Sequence, residues 1–332
     1  MLMMRSWLAL PACLAAGVLA LSACSGSSKH PAASTTPVSN PPPPAVNPLT
    51  GGAPSKNPVV AVKIEDTALG RPQAGVDKAN IVYVEQVEGG LTRLMAVFDT
   101  ALPVVEPVRS ARPSDPELAL EFGKILFVAS GGSRAGIAPL LASPLRKVIN
   151  DRGAPGFNRD PNRQAPENLR ADLKEIARKV HGPTAKSIGL TWSAALPAGR
   201  TLPGKSVNTM VGGTAVGFRW DAAIHRYVRL IDGAVQHSKA GTVISTPNVI
   251  VQYCRVTTYT KDRDVLGHPA KYTHTVGQGR VAVFRNGRRI DGTWSRASVN
   301  AGTKLRTSSG KPIPLALGGA WFVLVATGAP LS

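Results

Sequence analysis

Residues 57–98 read NPVVAVKIEDTALGRPQAGVDKANIVYVEQVEGGLTRLMAVF, and this stretch decides the fold class. Asn57 to Asp66 reads as an opening strand that ends in two acids, Glu65 and Asp66. Arg71 to Asn80 is a polar turn segment, and Ile81 to Val87 is a second β-branched run. Glu88-Gly89-Gly90-Leu91-Thr92-Arg93 breaks it, and Leu94 to Phe98 resumes as a strand. Short apolar runs bounded by Gly, Pro and polar clusters are strand signals.

Working outward, Glu121 to Ser130 gives another short buried strand, stopped by Gly131-Gly132. Ala135 to Ile149 is expected to be a helix interrupted near Pro144. Leu169, Leu173, Ile176 and Val180 recur three to four apart, which predicts an amphipathic helix over 170–180. Beyond residue 208 the pattern changes to frequent short strands. Val216 to Trp220, Ile224 to Leu230, Val249 to Thr258 and Arg280 to Phe284 alternate with turn signals. Asn286-Gly287 is the strongest of these, a two-residue hairpin turn that pairs Ile290 to Trp294 back onto the preceding strand. The expected class is α+β: a mixed α/β domain over 58–182, then a mainly β domain over 208–332, with a linker between His181 and Asn208.

The N-terminus is read separately. Arg5 precedes an apolar run from Trp7 to Leu21, the length of a signal-peptide core and short for a membrane span. It runs into Leu21-Ser22-Ala23-Cys24, which is similar to the lipobox of bacterial lipoproteins. Residues 1–23 are therefore expected to be removed and Cys24 acylated, leaving the protein anchored by lipid on the outer face of the cytoplasmic membrane. Residues 25–57 hold eight Pro, with the run Pro41 to Pro44, among Ser, Thr and Ala. Such a composition predicts a disordered tether over 24–57. With Cys13 lost and Cys24 acylated, Cys254 is the one thiol left, and its strand-like surroundings point to a buried small hydrophobe.

Charge divides unevenly. The 332 residues carry a formal net charge of +19. Residues 186–332 hold 19 basic and five acidic side chains. Export excludes nucleic acid as the partner of this basic half. The polyanions available to an envelope protein are anionic lipid and acidic wall polymer.

Several segments resemble the YerB-like family of bacterial envelope lipoproteins, which has two successive domains of unknown function. In the first half they are Asn47-Pro-Leu-Thr-Gly51, Arg71-Pro-Gln-Ala-Gly75, Asn80-Ile-Val-Tyr83, Glu88 to Arg93, Pro107-Val-Arg-Ser-Ala-Arg112, and Arg159 and Arg163 with Ala165-Pro-Glu-Asn-Leu169. In the second they are Asn248 to Val251, Gly292-Thr-Trp294 and Trp321. The resemblance implies an envelope lipoprotein working beside cell-wall synthesis machinery, and it implies no established reaction. The family has His where Glu167 stands here, so no imidazole-dependent role carries over to that point.

The residues themselves point to an anion or glycan pocket. Asp66, Glu85, Glu88, Arg93, Arg109, Ser110 and Arg112 fall at strand ends or in adjoining turns, and Arg71, Arg159, Arg163 and Asn168 share that polar inventory. Ligands of α/β folds collect at strand ends, and Arg93, Arg109 and Arg112 can fork onto a carboxylate or phosphate. A buried Arg–Glu network that orders the fold is the structural alternative. Gly131-Gly132-Ser133-Arg134 is a second place where backbone N–H groups can cradle an anion. No metal-ligand, P-loop or nucleophile-elbow motif is present, no cofactor is expected, and His268 and His274 read as exposed loop residues. The leading expectation is a non-catalytic protein that binds an anionic or glycan wall component such as peptidoglycan. The alternatives are a wall-glycan hydrolase using Glu85 and Glu88 and a structural recruiter of a peptidoglycan synthase.

Overall fold

The computed structural model describes residues 45–332. The expected signal peptide, Cys24 and most of the tether lie outside the described residues. The packed chain starts earlier than residue 58: Asn47 and Leu49 are fully buried, and the Asn47 amide donates to Asp99 at 2.7 Å.

The first half mixes strands and helices. In chain order it contains β1 (Val60–Glu65), β2 (Ile81–Gln86), β3 (Thr92–Phe98), β4 (Val104–Val105), α1 (Asp115–Ala119), β5 (Leu126–Ala129), α2 (Arg134–Ala142), β6 (Arg146–Ile149), β7 (Phe157–Arg159), β8 (Leu169–Asp172) and α3 (Leu173–Lys179). The second half is almost all strand: β9 (Leu202–Pro203), β10 (Ser206–Val211), β11 (Thr214–Asp221), β12 (Arg226–Ile231), β13 (Ala234–Val235), β14 (Ser245–Thr246), β15 (Asn248–Arg263), β16 (Pro269–His274), β17 (Gly277–Arg285), β18 (Arg288–Arg296), β19 (Lys304–Thr307) and β20 (Ala320–Ala326). This is the expected class, α/β-type content first and β content second.

One sheet crosses the boundary between the halves. Its path runs β19-β18-β17-β15-β20-β2-β3-β1-β5-β6, with β16 added on β15 and β9 on β18. The last strand, β20, lies between β15 and β2 and pairs parallel with both. Its sequence AWFVLVA has no polar face because both faces are covered. Phe322 and Leu324 enter one core with Ile137 and Leu140 of α2. Trp321, Val323 and Val325 enter the other, with Val207, Phe218 and Tyr227 of the sheet β10-β11-β12-β13. That second core also takes Leu169, Leu173 and Ile176 from β8 and α3. The stretch between the halves is packed too: Ile188 is 1% exposed, and the Trp192 indole donates to the Pro48 carbonyl at 3.0 Å.

Two expected helices are shorter than the sequence pattern predicts. The helix over 135–149 stops at Ala142, and Arg146–Ile149 is instead a strand parallel to β5. Ser143 precedes Pro144 and takes an extended conformation, as a pre-proline residue must. The helix over 170–180 starts at Leu173. Leu169 and Ala171 are buried while Arg170 and Asp172 are partly exposed, a period of two that makes β8. The Asp172 side chain then accepts from the Glu175 N–H at 3.0 Å and caps α3. The Asn286-Gly287 hairpin is as expected, with φ of 53° and 68°, the left-handed pair such a turn requires.

Candidate functional site

Side-chain alternation decides where the charged groups go. Lys63 and Glu65 follow Ala61 on the α-helical face of β1, and Glu85 follows Tyr83 on the same face of β2. The register sets Glu65 and Glu85 on either side of Arg93 of β3. Three loops close over these strand ends and supply Glu88, Arg109, Arg112 and Glu167.

The result is three neighbouring groups of ion pairs. Arg93 Nη2 lies 3.4 Å and Arg109 Nε 2.7 Å from Glu65 Oε2. Arg109 also reaches Glu167 at 3.7 Å. Arg112 presents Nε and Nη2 to Glu88 Oε2 at 2.8 and 2.7 Å. Lys63 Nζ sits between Glu85 and Asp115, at 2.8 Å from Asp115 Oδ1. The Ser110 carbonyl accepts from Arg93 at 3.4 Å. Burial pushes the Lys63 ammonium down to about 8, against the pull of Asp115. Burial and the neighbouring Arg112 push the Arg93 guanidinium down to about 10. Burial pushes the Glu65 carboxyl up, but Arg93 and Arg109 outweigh it and hold the group below its ordinary value of 4.5.

Two further clusters lie on the opposite side of the strands. Asp66 accepts from Arg229 Nη2 at 2.7 Å and from Thr92 at 2.8 Å, and Arg71 Nη2 donates to the Asp66 carbonyl at 2.6 Å. Glu106 gathers Lys239 at 2.8 Å, Arg170 at 3.3 Å and Arg163 at 3.6 Å, and Lys239 and Arg170 also bind Asp160. Hydrogen bonds from Lys239 hold the Asp160 carboxyl well below the usual carboxylate range. Arg159 donates to the Asn168 side chain at 2.7 Å, and Asn168 donates to the Arg163 carbonyl at 3.2 Å.

The sequence-predicted residues are thus brought together in these clusters, but their charges face internal partners. Arg93, Arg109, Arg112 and Arg163 each bind a carboxylate of the chain. Glu85 is 1% and Glu88 5% exposed, and both are held by cations. Lys63, Glu65, Asp115, Glu106, Asp160, Arg229 and Lys239 complete the clusters and were not singled out in the sequence. Lys63 carried a readable signal, a lone charge inside an apolar strand. The others pair across separations as large as 163 residues, which no local pattern reports. Because Glu65 is held low in the fold, it contributes stability above its unfolded value of 4.5, and that contribution is lost as pH falls below it. The thermal midpoint is expected to drop as pH falls below 4.5, and Glu65→Gln should flatten that drop in a melt series.

In the glycine-rich turn after β5 a side-chain hydroxyl, and no backbone N–H of residues 131–134, meets a carboxylate among the described residues. Ser133 caps α2, accepting from Gly136 N at 2.9 Å, and its hydroxyl bonds Asp262 from the outer part of β15. His268 pairs with Asp264 at 3.1 Å, while His274 bonds Thr257 Oγ1 at 2.9 Å. Cys254 is free and 1% exposed, and burial pushes its thiol up to about 12.

Cations without a partner lie in the second half. Residues 293 and 295 of β18 face away from the buried Trp294. The register places Thr293 between Arg280 of β17 and Arg306 of β19, and Ser295 between Gln278 and Lys304. Arg280, Lys304 and Arg306 are exposed and form no ion pair among the described residues. The Arg280 guanidinium lies 4.4 Å over the Tyr253 ring. Beside this row runs a groove of about 850 Å³, lined among others by Arg200, Arg289, Thr293, Ser309 and Lys311. Strands spaced roughly 4.8 Å and residues rising roughly 3.3 Å put these cations about 7–12 Å apart.

Comparison with known proteins agrees with this architecture. Residues 48–186 match the protein family of unknown function DUF3048, N-terminal domain, and residues 206–322 match its C-terminal domain. A Bacillus subtilis (strain 168) protein named “Putative lipoprotein YerB” is 27% identical over 283 residues, covering 80% of each chain. The crystal structure of YerB protein from Bacillus subtilis superposes with a TM-score of 0.73 at 22% identity, covering 87% of this chain and all of that one. The chain therefore belongs to the YerB-like DUF3048 family, with both of its domains present in order.

Proposed function

We propose that this chain is a non-catalytic cell-envelope lipoprotein, anchored through acylated Cys24, whose exposed β17-β18-β19 face binds an anionic wall polymer. One observation carries the reading: Arg280, Lys304 and Arg306 stand in register on an open sheet face with hydroxyls between them and no carboxylate neutralising them. A repeating phosphate- or carboxylate-bearing glycan presents charges at comparable spacing, and Thr293 and Ser295 add hydrogen-bond donors. The adjoining groove adds Arg200 and Lys311, neither in an ion pair among the described residues, while its Arg289 is held by Asp291 at 2.7 Å. The Arg–Glu clusters of the first half take a structural role in this reading, because their cations already hold internal carboxylates.

The test is sedimentation of the full chain with purified cell walls across a salt series. Binding should weaken steeply with salt, and walls stripped of anionic polymer should bind far less. The triple variant Arg280→Ser, Lys304→Ser, Arg306→Ser removes only exposed charges. It should keep its melting point and lose at least about tenfold in affinity, roughly 0.5–1 kcal/mol per contact. Unchanged binding by a folded triple variant would remove this face from consideration.

A further inference from the structure

The hairpin formed by β15 and β16 ends in an unusual tip. Val265 is 102% and Leu266 77% exposed, so two aliphatic side chains stand side by side in solvent. The turn that presents them is tightly fixed. The Asp264 carboxylate accepts from Leu266 N at 2.9 Å, from His268 N at 2.8 Å and from the His268 ring at 3.1 Å. Arg263 Nη1 donates to the Gly267 carbonyl at 2.7 Å. Below the turn, Asp262 is bonded to Ser133 at the start of α2, and the hairpin packs on the loop that follows β2. Lys261 and Arg263 are exposed and Lys271 partly exposed, so cations flank the aliphatic pair.

We propose that this tip is a membrane-inserting wedge, with Val265 and Leu266 entering the acyl boundary of an anionic bilayer and Lys261, Arg263 and Lys271 meeting its headgroups. A scattered exposed aliphatic residue needs no explanation. Two adjacent ones on a braced turn, with Lys261, Arg263 and Lys271 on the strands beneath them, match the chemistry of an interfacial anchor. Chain length permits the contact: 20 residues separate Cys24 from Ala45, a span of at most about 75 Å. This last point rests on acylation of Cys24, whereas the wedge itself rests on the hairpin. A second, protein-borne contact would fix the orientation of the domain on the bilayer.

The full chain, purified with its lipid and reconstituted into vesicles, tests this directly. Leu266→Cys is labelled with an environment-sensitive thiol fluorophore; Cys254 is buried and will not compete. In vesicles containing phosphatidylglycerol, the probe should shift to the blue and be quenched several-fold by nitroxide lipids. It should respond much less in pure phosphatidylcholine, and Lys261→Glu with Lys271→Glu should abolish the difference. The same probe at Ser309→Cys, on another exposed turn, should stay water-like. A water-like probe at 266 in both membranes, or an equal response at 309, overturns the proposal. So does a blue shift without vesicles that grows with protein concentration, which would mean a second copy covers the tip. Mass spectrometry of the mature N-terminus reports acylation independently, and a Cys24→Ser chain, which carries neither the lipid nor a second reactive thiol, separates the two readings if its tip is still quenched.

Discussion

Lys63→Met lowers unfolding free energy by about 3–5 kcal/mol, the cost of removing one partner from a buried ion pair. Lys63 is fully buried, and so are the two carboxylates it joins, Glu85 at 1% and Asp115 at 0% exposure. Without the ammonium, two like charges face each other in a site closed to water. One of them, Asp115, keeps a donor at the Arg112 backbone N–H, 2.6 Å away, but Glu85 retains only Ser114 at 3.4 Å. Adding Asp115→Asn and Glu85→Gln to Lys63→Met should recover most of the loss, because neutral amides carry a far smaller desolvation cost. Urea unfolding of the three proteins checks this. The pH dependence has a definite sign. Burial depresses the Lys63 ammonium to about 8 in the fold, against 10.5 unfolded. Between those values the unfolded chain binds the proton and the folded chain does not, so stability rises with pH. The gap between wild type and Lys63→Met therefore widens from pH 7 to pH 10. A gap that stays constant or narrows would mean that Lys63 keeps its ordinary affinity for the proton.

Much of the local structure was legible because it is locally determined. Val60 to Glu65, Ile81 to Gln86 and the Asn286-Gly287 hairpin follow from β-branched runs and turn chemistry. The errors have local causes too. A leucine at 169 continued a helical spacing by coincidence, while burial of Leu169 and Ala171 on alternate positions favoured a strand. The polar site was legible as a set of residues and illegible as an arrangement. Strand-end acids and arginines can be read from the sequence, but whether they line a cleft depends on which partners reach them. Here the partners are Arg229 and Lys239, from another part of the chain, and Lys63, from inside a strand. Equally, the basic surplus after residue 186 was plain in composition, but the row Arg280–Thr293–Arg306 exists only through the register of three strands.

The largest expected effect comes from dividing the chain between its halves. Produced alone, residues 45–186 and residues 206–332 are each expected to be insoluble or unfolded, and the intact chain to melt in one transition. Element content changes at that boundary, but hydrogen bonding does not respect it. β20 completes the sheet between β15 and β2, pairing Ile250 with Phe322 on one side and Tyr83 with Phe322 on the other. The Tyr83 and Phe322 rings stack at 5.0 Å across that junction. The first half alone exposes the edge of β2, apolar over Ile81 to Val84, and the second half alone exposes the edge of β20, apolar throughout. Edges of that kind drive aggregation. Polar ties add to the coupling. Arg229 reaches Asp66, Lys239 reaches Glu106, and Glu117 accepts from the Thr275 and Val276 N–H groups at 2.6 and 2.9 Å. Splitting the chain takes from the buried Arg229 its one carboxylate, a loss of about 3–5 kcal/mol, whereas Glu106 keeps Arg163 and Arg170 from its own half. Differential scanning calorimetry of the intact chain should give equal calorimetric and van't Hoff enthalpies, the signature of a single cooperative unit. Co-expression of the two fragments should rescue solubility by re-forming the β2–β20 junction, and Val323→Asp, at the centre of β20, should block that rescue. Two separate transitions, or a soluble and folded second half, would show that the shared sheet does not couple the halves.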